Sequence, residues 1–269
     1  MHCYAVGDKK ATIPALRRMG LDQKRNRAKA DYFGTLAHGM SDYVLQGDPA
    51  IPVTLRRSAR ARRITLRISS LDGRVTVTLP RSARERDAFA FVEEKADWIR
   101  RHLANQPAST AIDFGAQVPI DGALRTIAHG EGKQVRLTAD ALLVPGSAET
   151  VGRRLRGWIK TYARLQLADF ADGYALKLGR GYSGLSLRDT RSRWGSCTSA
   201  GRLMFSWRLI MAPTDVQAYV AAHEVAHLAE MNHSPAFWRI VEDLYGPYTE
   251  SRGWLRKNGA KLHTYRFED

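Results

Sequence analysis

Apolar and polar residues alternate along three segments near the start of the regular part of the chain. Residues 51–57, 63–69 and 74–79 follow this two-residue period, which predicts strands with one buried face. Asp72 and Gly73 lie between the second and third segments and predict a hairpin turn. The three segments together therefore predict the beginning of a sheet.

A helical period replaces the alternation further along the chain. Residues 84–104 place Phe89, Val92, Ala96, Ile99 and Leu103 on one stripe and predict an amphipathic helix. Short strands interrupted by Gly and Pro are expected over 112–144, and a long helix over 148–178. Strands are expected again at 184–190 and 202–207.

The last part of the sequence favours two helices. Thr214 is a natural N-cap, and Gln217 completes a capping-box pattern for a helix that runs to about Met231. Ser234 followed by Pro235 predicts the start of a second helix, because a capping side chain precedes a proline in the first turn.

These elements predict an α+β fold in two main parts. Residues 1–40 are polar, basic and aperiodic, and we expect them to form a disordered extension. Residues 41–145 are predicted to be rich in strands with one helix, and residues 146–269 to be mainly helical. The range 41–269 also allows one continuous domain.

The segment from His223 to His227 reads His-Glu-Val-Ala-His and lies within the first of the two C-terminal helices. Residues four apart lie on one face of a helix, so both imidazoles can reach one zinc ion. Glu224 is turned by about 100° from His223, which makes it a poor ligand of that ion but places it near a water bound there. The sequence therefore predicts a zinc site with Glu224 as the catalytic residue.

A catalytic zinc usually has three protein ligands and one open position. His233 is the first candidate for the third ligand, although a straight helix could not bring it to the ion. A helix end at Asn232, a residue that tolerates left-handed geometry, would return His233 to the metal. Glu242 and Glu250 are the alternatives.

Residues 190–197, Thr-Arg-Ser-Arg-Trp-Gly-Ser-Cys, form an unusual turn before the histidine motif. Arg193 there would orient a substrate or stabilise an oxyanion. On a structural interpretation, Trp194 anchors the core and Gly195 occupies a bulge. Cys197 is expected to be a small buried apolar residue rather than a ligand.

The charge of the chain adds a question about partners. The net charge is +15, and residues 151–212 hold twelve Lys and Arg against three Asp and Glu. A basic surface suggests acidic partners, nucleic acid among them. No apolar run is long enough for a membrane helix, and no apolar segment typical of a signal peptide begins the sequence. We therefore expect a cytoplasmic protein without membrane association.

Three blocks of sequence resemble the YgjP-type branch of the SprT-like zinc metallopeptidases. They are RSRWGSC at 191–197, MFSWRLIMAP at 204–213 and HEVAHLAEMNHSPAFW at 223–238. Residues from about 150 to 260 match this pattern closely, and residues 51–145 match it loosely. The resemblance implies a gluzincin-like helical core against which the β-rich N-terminal part packs. It also implies His223, His227 and His233 as zinc ligands, with Glu224 as the catalytic residue.

The sequence thus predicts a zinc metallopeptidase in which Glu224 is the general base and a peptide or protein is the substrate. One alternative is a metal-dependent nucleoside triphosphate pyrophosphatase at the same site, with Arg191, Arg193 and Arg208 on the phosphates. The YgjP branch has also been labelled as nucleotide pyrophosphatases. A second alternative is a non-catalytic nucleic-acid-binding protein with a structural zinc. Relatives in the wider SprT-like group cut protein attached to DNA, which would suit the basic surface of this chain.

Overall fold

The computed structural model describes residues 9–12, 40–69, 72–105 and 109–267. These residues form two compact units, an N-terminal unit up to residue 105 and a C-terminal unit from residue 109. The sequence pattern placed this division near residue 145. It lies earlier because the strands after residue 109 share a hydrophobic core with the helices that follow them. The sheets and helices confirm the α+β class.

A sheet of five described strands forms the framework of the N-terminal unit. Its strands are β1 (Lys9–Thr12), β2 (Met40–Leu45), β3 (Ile51–Ser58), β4 (Thr65–Ile68) and β5 (Val75–Pro80). They lie in the order β1-β4-β5-β3-β2, with β3 and β5 parallel and the other neighbours antiparallel. The predicted hairpin at Asp72 and Gly73 joins β4 to β5.

The prediction of a disordered extension falls mostly outside the described residues. Where the structure describes residues 1–40, the prediction is wrong: residues 9–12 form β1, and Met40 begins β2. Backbone pairing with β4 explains β1, because strand pairing depends on a partner distant in sequence.

Two helices cover one face of this sheet, where a single helix was predicted over 84–104. They are α1 (Glu85–Glu94) and α2 (Ala96–Ala104), separated at Lys95. The predicted apolar stripe is confirmed, since Val92 and Ile99 are buried and Phe89, Ala96 and Leu103 pack against the same core. Within β3, β4 and β5 buried residues alternate with more exposed ones, as the two-residue period predicted.

The C-terminal unit begins with a four-stranded sheet and a long helix. The strands are β7 (Gln117–Ile120), β8 (Ala123–His129), β9 (Arg136–Leu137) and β10 (Ala141–Val144), in the order β7-β8-β10-β9. A short β6 (Thr110–Ala111) pairs with β14 (Tyr265–Arg266) near the C-terminus. Helix α3 (Ala148–Leu178) has the predicted bounds and begins with a capping box between Ser147 and Thr150.

The elements that carry the candidate site follow α3. A three-stranded sheet contains β11 (Gly184–Arg188), β12 (Gly195–Cys197) and β13 (Arg202–Ser206), with β13 in the middle. A 3-10 helix (Trp207–Met211) leads to α4 (Thr214–Ala226), α5 (Pro235–Tyr245), α6 (Thr249–Asn258) and a second 3-10 helix (Gly259–His263). Among the helices that the structure describes, none combines the length and the apolar character that crossing a membrane requires.

Candidate active site and metal centre

Helix α4 carries the histidine motif through the middle of the hydrophobic core. Every residue from Val216 to Ala226 is buried, so the helix has no solvent-facing side over this stretch. His223 is 1 % exposed, Glu224 0 % and His227 5 %. Burying such side chains is costly unless hydrogen bonds or metal coordination satisfy them. Packing alone does not explain these residues.

The start of α4 differs from the predicted capping box. Pro213 is the N-cap residue and no side chain caps the helix there. The Gln217 amide instead donates hydrogen bonds to the Asp121 carboxylate at 2.8 Å and to the backbone carbonyls of Ile210 and Ala212 at 3.3 and 2.8 Å. Gln217 is fully buried, so it fastens the chain before α4 from within the core.

The end of α4 returns the chain toward the two histidines. The helix ends at Ala226, five residues before the predicted end at Met231. Asn232 is not in the left-handed conformation that was predicted. Its side-chain oxygen accepts a hydrogen bond from the Ser234 N–H at 2.8 Å, and Ser234 caps α5 by accepting one from the Phe237 N–H at 3.3 Å. This tight connection places His233 beside α4.

The side chains of His223, His227 and His233 converge on one point. One nitrogen from each ring lies within 4.8 Å of the others, and the Nε2 atoms of His223 and His233 are 3.2 Å apart. Two imidazoles bound to one tetrahedral zinc would have their nitrogens about 3.4 Å apart, from Zn–N bonds of about 2.1 Å. The three residues therefore fit a single metal ion. The alternatives Glu242 and Glu250 are not part of this group.

Neighbouring groups orient the ligands and keep them neutral. His227 Nδ1 lies 3.0 Å from the Glu230 carbonyl, a contact that leaves Nε2 for a metal. Burial lowers the pKa of His223 well below its usual value, and it lowers the pKa of His227 and His233 as well. Neutral imidazole is the form that binds metals, so these three rings are ready to do so near neutral pH.

Aromatic side chains from α5 hold the rings in place. The ring of Phe237 lies 4.8 Å from that of His223, 4.4 Å from that of His227 and 4.7 Å from that of His233. Trp238 contacts two of the same rings at 5.6 and 5.8 Å. The sequence analysis did not predict that Phe237 contacts the histidine rings. Its position four residues after His233, within the block at 223–238, is the signal that could have indicated this contact.

Glu224 lies next to the histidines, and no described residue forms a hydrogen bond with its carboxylate. Burial raises the pKa of Glu224 to about 8, and the Arg193 cation opposes that rise. A buried, unsatisfied carboxylate beside three convergent imidazoles is consistent with a site that takes up a metal and a water.

A pocket opens onto this group from the side of β12. It is lined by Arg193, Gly195, Ser196, Cys197, Glu224, His227, Met231 and His233. The predicted Arg193 thus lies in the same pocket as the motif, with its side chain exposed to solvent. Met231 is 45 % exposed at this pocket and was not predicted to be part of it.

The other residues of the Arg-Trp-Gly-Ser-Cys turn have structural roles as well. Trp194 is 2 % exposed and belongs to the main hydrophobic core, as the structural interpretation predicted. Gly195 begins a regular strand rather than a bulge. Burial, with a smaller contribution from Glu224, raises the pKa of Cys197 to about 11, so it is a thiol at neutral pH. Cys197 is also not in the metal-binding group.

Arg208 does not lie free for a phosphate. Its guanidinium donates to the Asp189 carboxylate at 2.7 and 3.2 Å and to the carbonyls of Leu262 and Tyr265 at 3.1 and 3.0 Å. Arg208 therefore fastens the C-terminal segment to the chain before β12. Arg208 is therefore not available to bind a phosphate, as the nucleoside triphosphate pyrophosphatase alternative required of it.

Three imidazoles that could hold one ion lie beside a buried carboxylate. This arrangement is typical of a single-metal centre suited to hydrolysis. Comparison with known families then identifies the chain: the model of the YgjP-like metallopeptidase domain matches residues 62–258. The protein belongs to the YgjP-like family, as the sequence blocks predicted. The match begins within the N-terminal unit and includes all of the candidate site.

Other comparisons add little. No curated protein matches the chain significantly. A similar solved structure is the metallopeptidase zymogen abylysin of Pyrococcus abyssi, which is 20 % identical. The aligned part covers 36 % of this chain and 94 % of that one, with a TM-score of 0.32. A similarity of this size supports no conclusion about fold or function.

Proposed function

We propose that this protein is a zinc-dependent peptidase that uses Glu224 as its general base. The observation that carries the proposal is the position of a buried carboxylate without a hydrogen-bond partner among the described residues, next to three converging imidazoles. His223, His227 and His233 would hold the ion. This set departs from the His-His-Glu set typical of gluzincins, so a gluzincin-like core remains a prediction from resemblance.

Zinc held by these three histidines would supply a Lewis acid, which would lower the pKa of a water to about 7 and polarise the scissile carbonyl. Glu224 takes the proton of the attacking water and delivers it to the leaving amine nitrogen. A carboxyl whose pKa is near neutrality is suited to both transfers. Arg193, exposed in the same pocket, orients the substrate or stabilises the oxyanion.

The edge strand beside the pocket favours a peptide substrate. Among the strands that the structure describes, β12 pairs with β13 alone and lies at the edge of its sheet. On either side of β12, the Trp194 carbonyl accepts a hydrogen bond from the Ser206 N–H, and the Thr198 N–H donates one to the Arg202 carbonyl. Antiparallel pairing alternates, so the backbone groups of Gly195 and Cys197 point away from β13. An extended peptide could pair with them while its carbonyl lies in the pocket.

The test is cleavage of a mixed peptide library by the purified protein, with and without a zinc chelator. We expect chelation to abolish cleavage and stoichiometric zinc to restore it. Glu224→Gln should keep stoichiometric zinc and lose at least about 10³-fold in kcat, because the proton transfers are lost. Retained cleavage by a zinc-loaded Glu224→Gln protein would exclude Glu224 as the base.

The same preparation tests the alternatives. Pyrophosphate release from nucleoside triphosphates that requires added magnesium, without peptide cleavage, would replace the peptidase proposal. Binding to nucleic acid that weakens steeply with salt, without any hydrolysis, would favour a non-catalytic role.

A further inference from the structure

Gly195 lies against the catalytic carboxylate more closely than any other residue type could. A Cβ built on Gly195 would be 2.5 Å from both Cγ and Oε1 of Glu224 and 2.7 Å from its Cδ. Real Cβ atoms do not approach other heavy atoms this closely. The backbone of Gly195 is not in the left-handed region, so its conformation does not require glycine. Glycine is needed at this position because any side chain would overlap the side chain of Glu224.

Glu224 cannot easily move aside from such a Cβ. Its Cγ is only two bonds from the backbone of α4, and the side chain is completely buried. A movement would need another rotamer within a close-packed core, which is unfavourable. Because the carboxylate oxygens lack hydrogen-bond partners among the described residues, shape rather than hydrogen bonding fixes the direction of this side chain.

Strand β12 cannot easily retreat either. The neighbouring Trp194 is buried, and a Cβ on Gly259 would be 3.0 Å from its Cζ2. The ring of Trp194 also packs on His263, with the ring centres 5.2 Å apart. Its carbonyl accepts a hydrogen bond from the Ser206 N–H at 2.8 Å. Trp194 therefore holds β12 at a fixed depth beside α4.

We propose that Gly195 is a positioning residue. The absence of a side chain at Gly195 leaves the space that the Glu224 carboxylate occupies, and we call this space the seat. The seat directs Glu224 toward the pocket that it shares with His227 and His233. The consequence for turnover rests on the proposed function, whereas the steric seat does not.

A double-mutant cycle in the metal-free protein tests the seat without any activity measurement. Gly195→Ala, Glu224→Ala and the double variant would be compared by thermal unfolding. Glu224→Ala removes the three atoms nearest to a Cβ at Gly195. We expect Gly195→Ala to lower the Tm by about 5 °C in the wild-type background, as overpacking does. In the Glu224→Ala background we expect a change below about 1 °C.

Gly184→Ala is the matched control. Gly184 begins β11 in the same sheet, and a Cβ there would meet nothing within 4 Å. We expect no loss of Tm from this change in either background. If Gly195→Ala does not fold alone, folding of the double variant would support the seat. Equal losses of Tm in both backgrounds, or no rescue of folding, would overturn it.

Kinetics separate the seat from a merely structural role. Gly195→Ala should keep stoichiometric zinc and lower kcat about 100-fold with little change in KM, because a displaced base acts only in the chemical step. Wild-type kcat in this variant would overturn the positioning role. If the wild-type protein cleaves no peptide, the proposed function fails, and the unfolding cycle still decides whether the seat exists.

Discussion

The two units of the molecule bury different kinds of residue. The core of the N-terminal unit, as described, consists of apolar side chains from β2–β5 and from α1 and α2. The buried polar or charged residues of the described chain all belong to the C-terminal unit: Ser206, Gln217, His223, Glu224, His227 and Ser251. Apolar packing explains the first core. The second core also buries His223, Glu224 and His227, whose burial apolar packing does not explain.

A comparison within the C-terminal unit sharpens this difference. Gln217 and Glu224 are both completely buried on α4, two turns apart. The Gln217 amide donates to one carboxylate and two carbonyls, while the Glu224 oxygens meet no donor in the described structure. The Gln217 Oε1 also lacks a partner among the described residues. The difference lies in the amide nitrogen of Gln217, which ties α4 to the preceding chain, whereas Glu224 has no hydrogen bond that would compete with a ligand.

The largest expected effect comes from removing the third imidazole. His233→Ala should lose zinc and at least about 10³-fold in peptide cleavage, since metal catalysis supplies several kcal/mol. Metal content by atomic absorption checks this. Glu242→Gln and Glu250→Gln are controls for the alternative ligands, and His102→Ala is a control in the N-terminal unit. Zinc lost in Glu242→Gln or Glu250→Gln and kept in His233→Ala would assign the ligand to a carboxylate.

Truncation of an apolar residue should affect the N-terminal core without changing the metal centre. Leu66 is completely buried in that core, so Leu66→Ala should lower the free energy of unfolding by about 3 kcal/mol. Urea unfolding monitored by circular dichroism measures the loss. Zinc content of the folded protein should be unchanged. A parallel loss of zinc would show that the two units do not respond independently.

Acid should weaken the C-terminal unit through His263. Burial lowers the pKa of His263 from 6.5 to about 4, with Arg208 and Arg191 acting in the same direction and Asp189 opposing them. The unfolded chain therefore binds the proton first as the pH falls. Stability from neutral His263 is complete above about pH 6.5 and is lost as the pH falls toward 4, by about 2 kcal/mol after allowance for solvent.

The measurement is the unfolding free energy of wild-type and His263→Gln proteins, both free of metal, at pH 7.5 and 4.5. The wild-type protein should lose about 2 kcal/mol more than the variant over this range. The difference between the proteins removes the acid response of the other histidines. Equal losses in the two proteins would show that His263 charges as readily in the folded state as in the unfolded chain.

The smallest effect is expected at the surface of the N-terminal unit. Arg57 and Glu85 form an ion pair at 3.2 Å, with side chains 37 % and 41 % exposed. Glu85→Gln should change the free energy of unfolding by less than about 0.5 kcal/mol. A loss above about 1 kcal/mol in thermal unfolding would show that charge contributes more to this unit than packing suggests.

Local patterns predicted the local features of the fold. The bounds of α3, the Ser234 cap and the strands β3, β4 and β5 follow from caps, turns and periodicity within a few residues of sequence. The capping box at Thr214 was wrong because Gln217 is bound to Asp121, which lies 96 residues earlier. The long helix over 84–104 was interrupted at Lys95, a residue that shows no signal for a break.

By itself the sequence determined the histidine motif, because the relative positions of His223 and of His227, the C-cap residue of α4, depend only on the helical turn that joins them. The family follows from the same short blocks. Tertiary structure alone decided how His233 returns to those two residues, how Arg208 is occupied and how closely Gly195 approaches Glu224. Each of these depends on segments that the fold brings together. The spacing of apolar and polar residues within one segment does not reveal its contacts with segments distant in sequence.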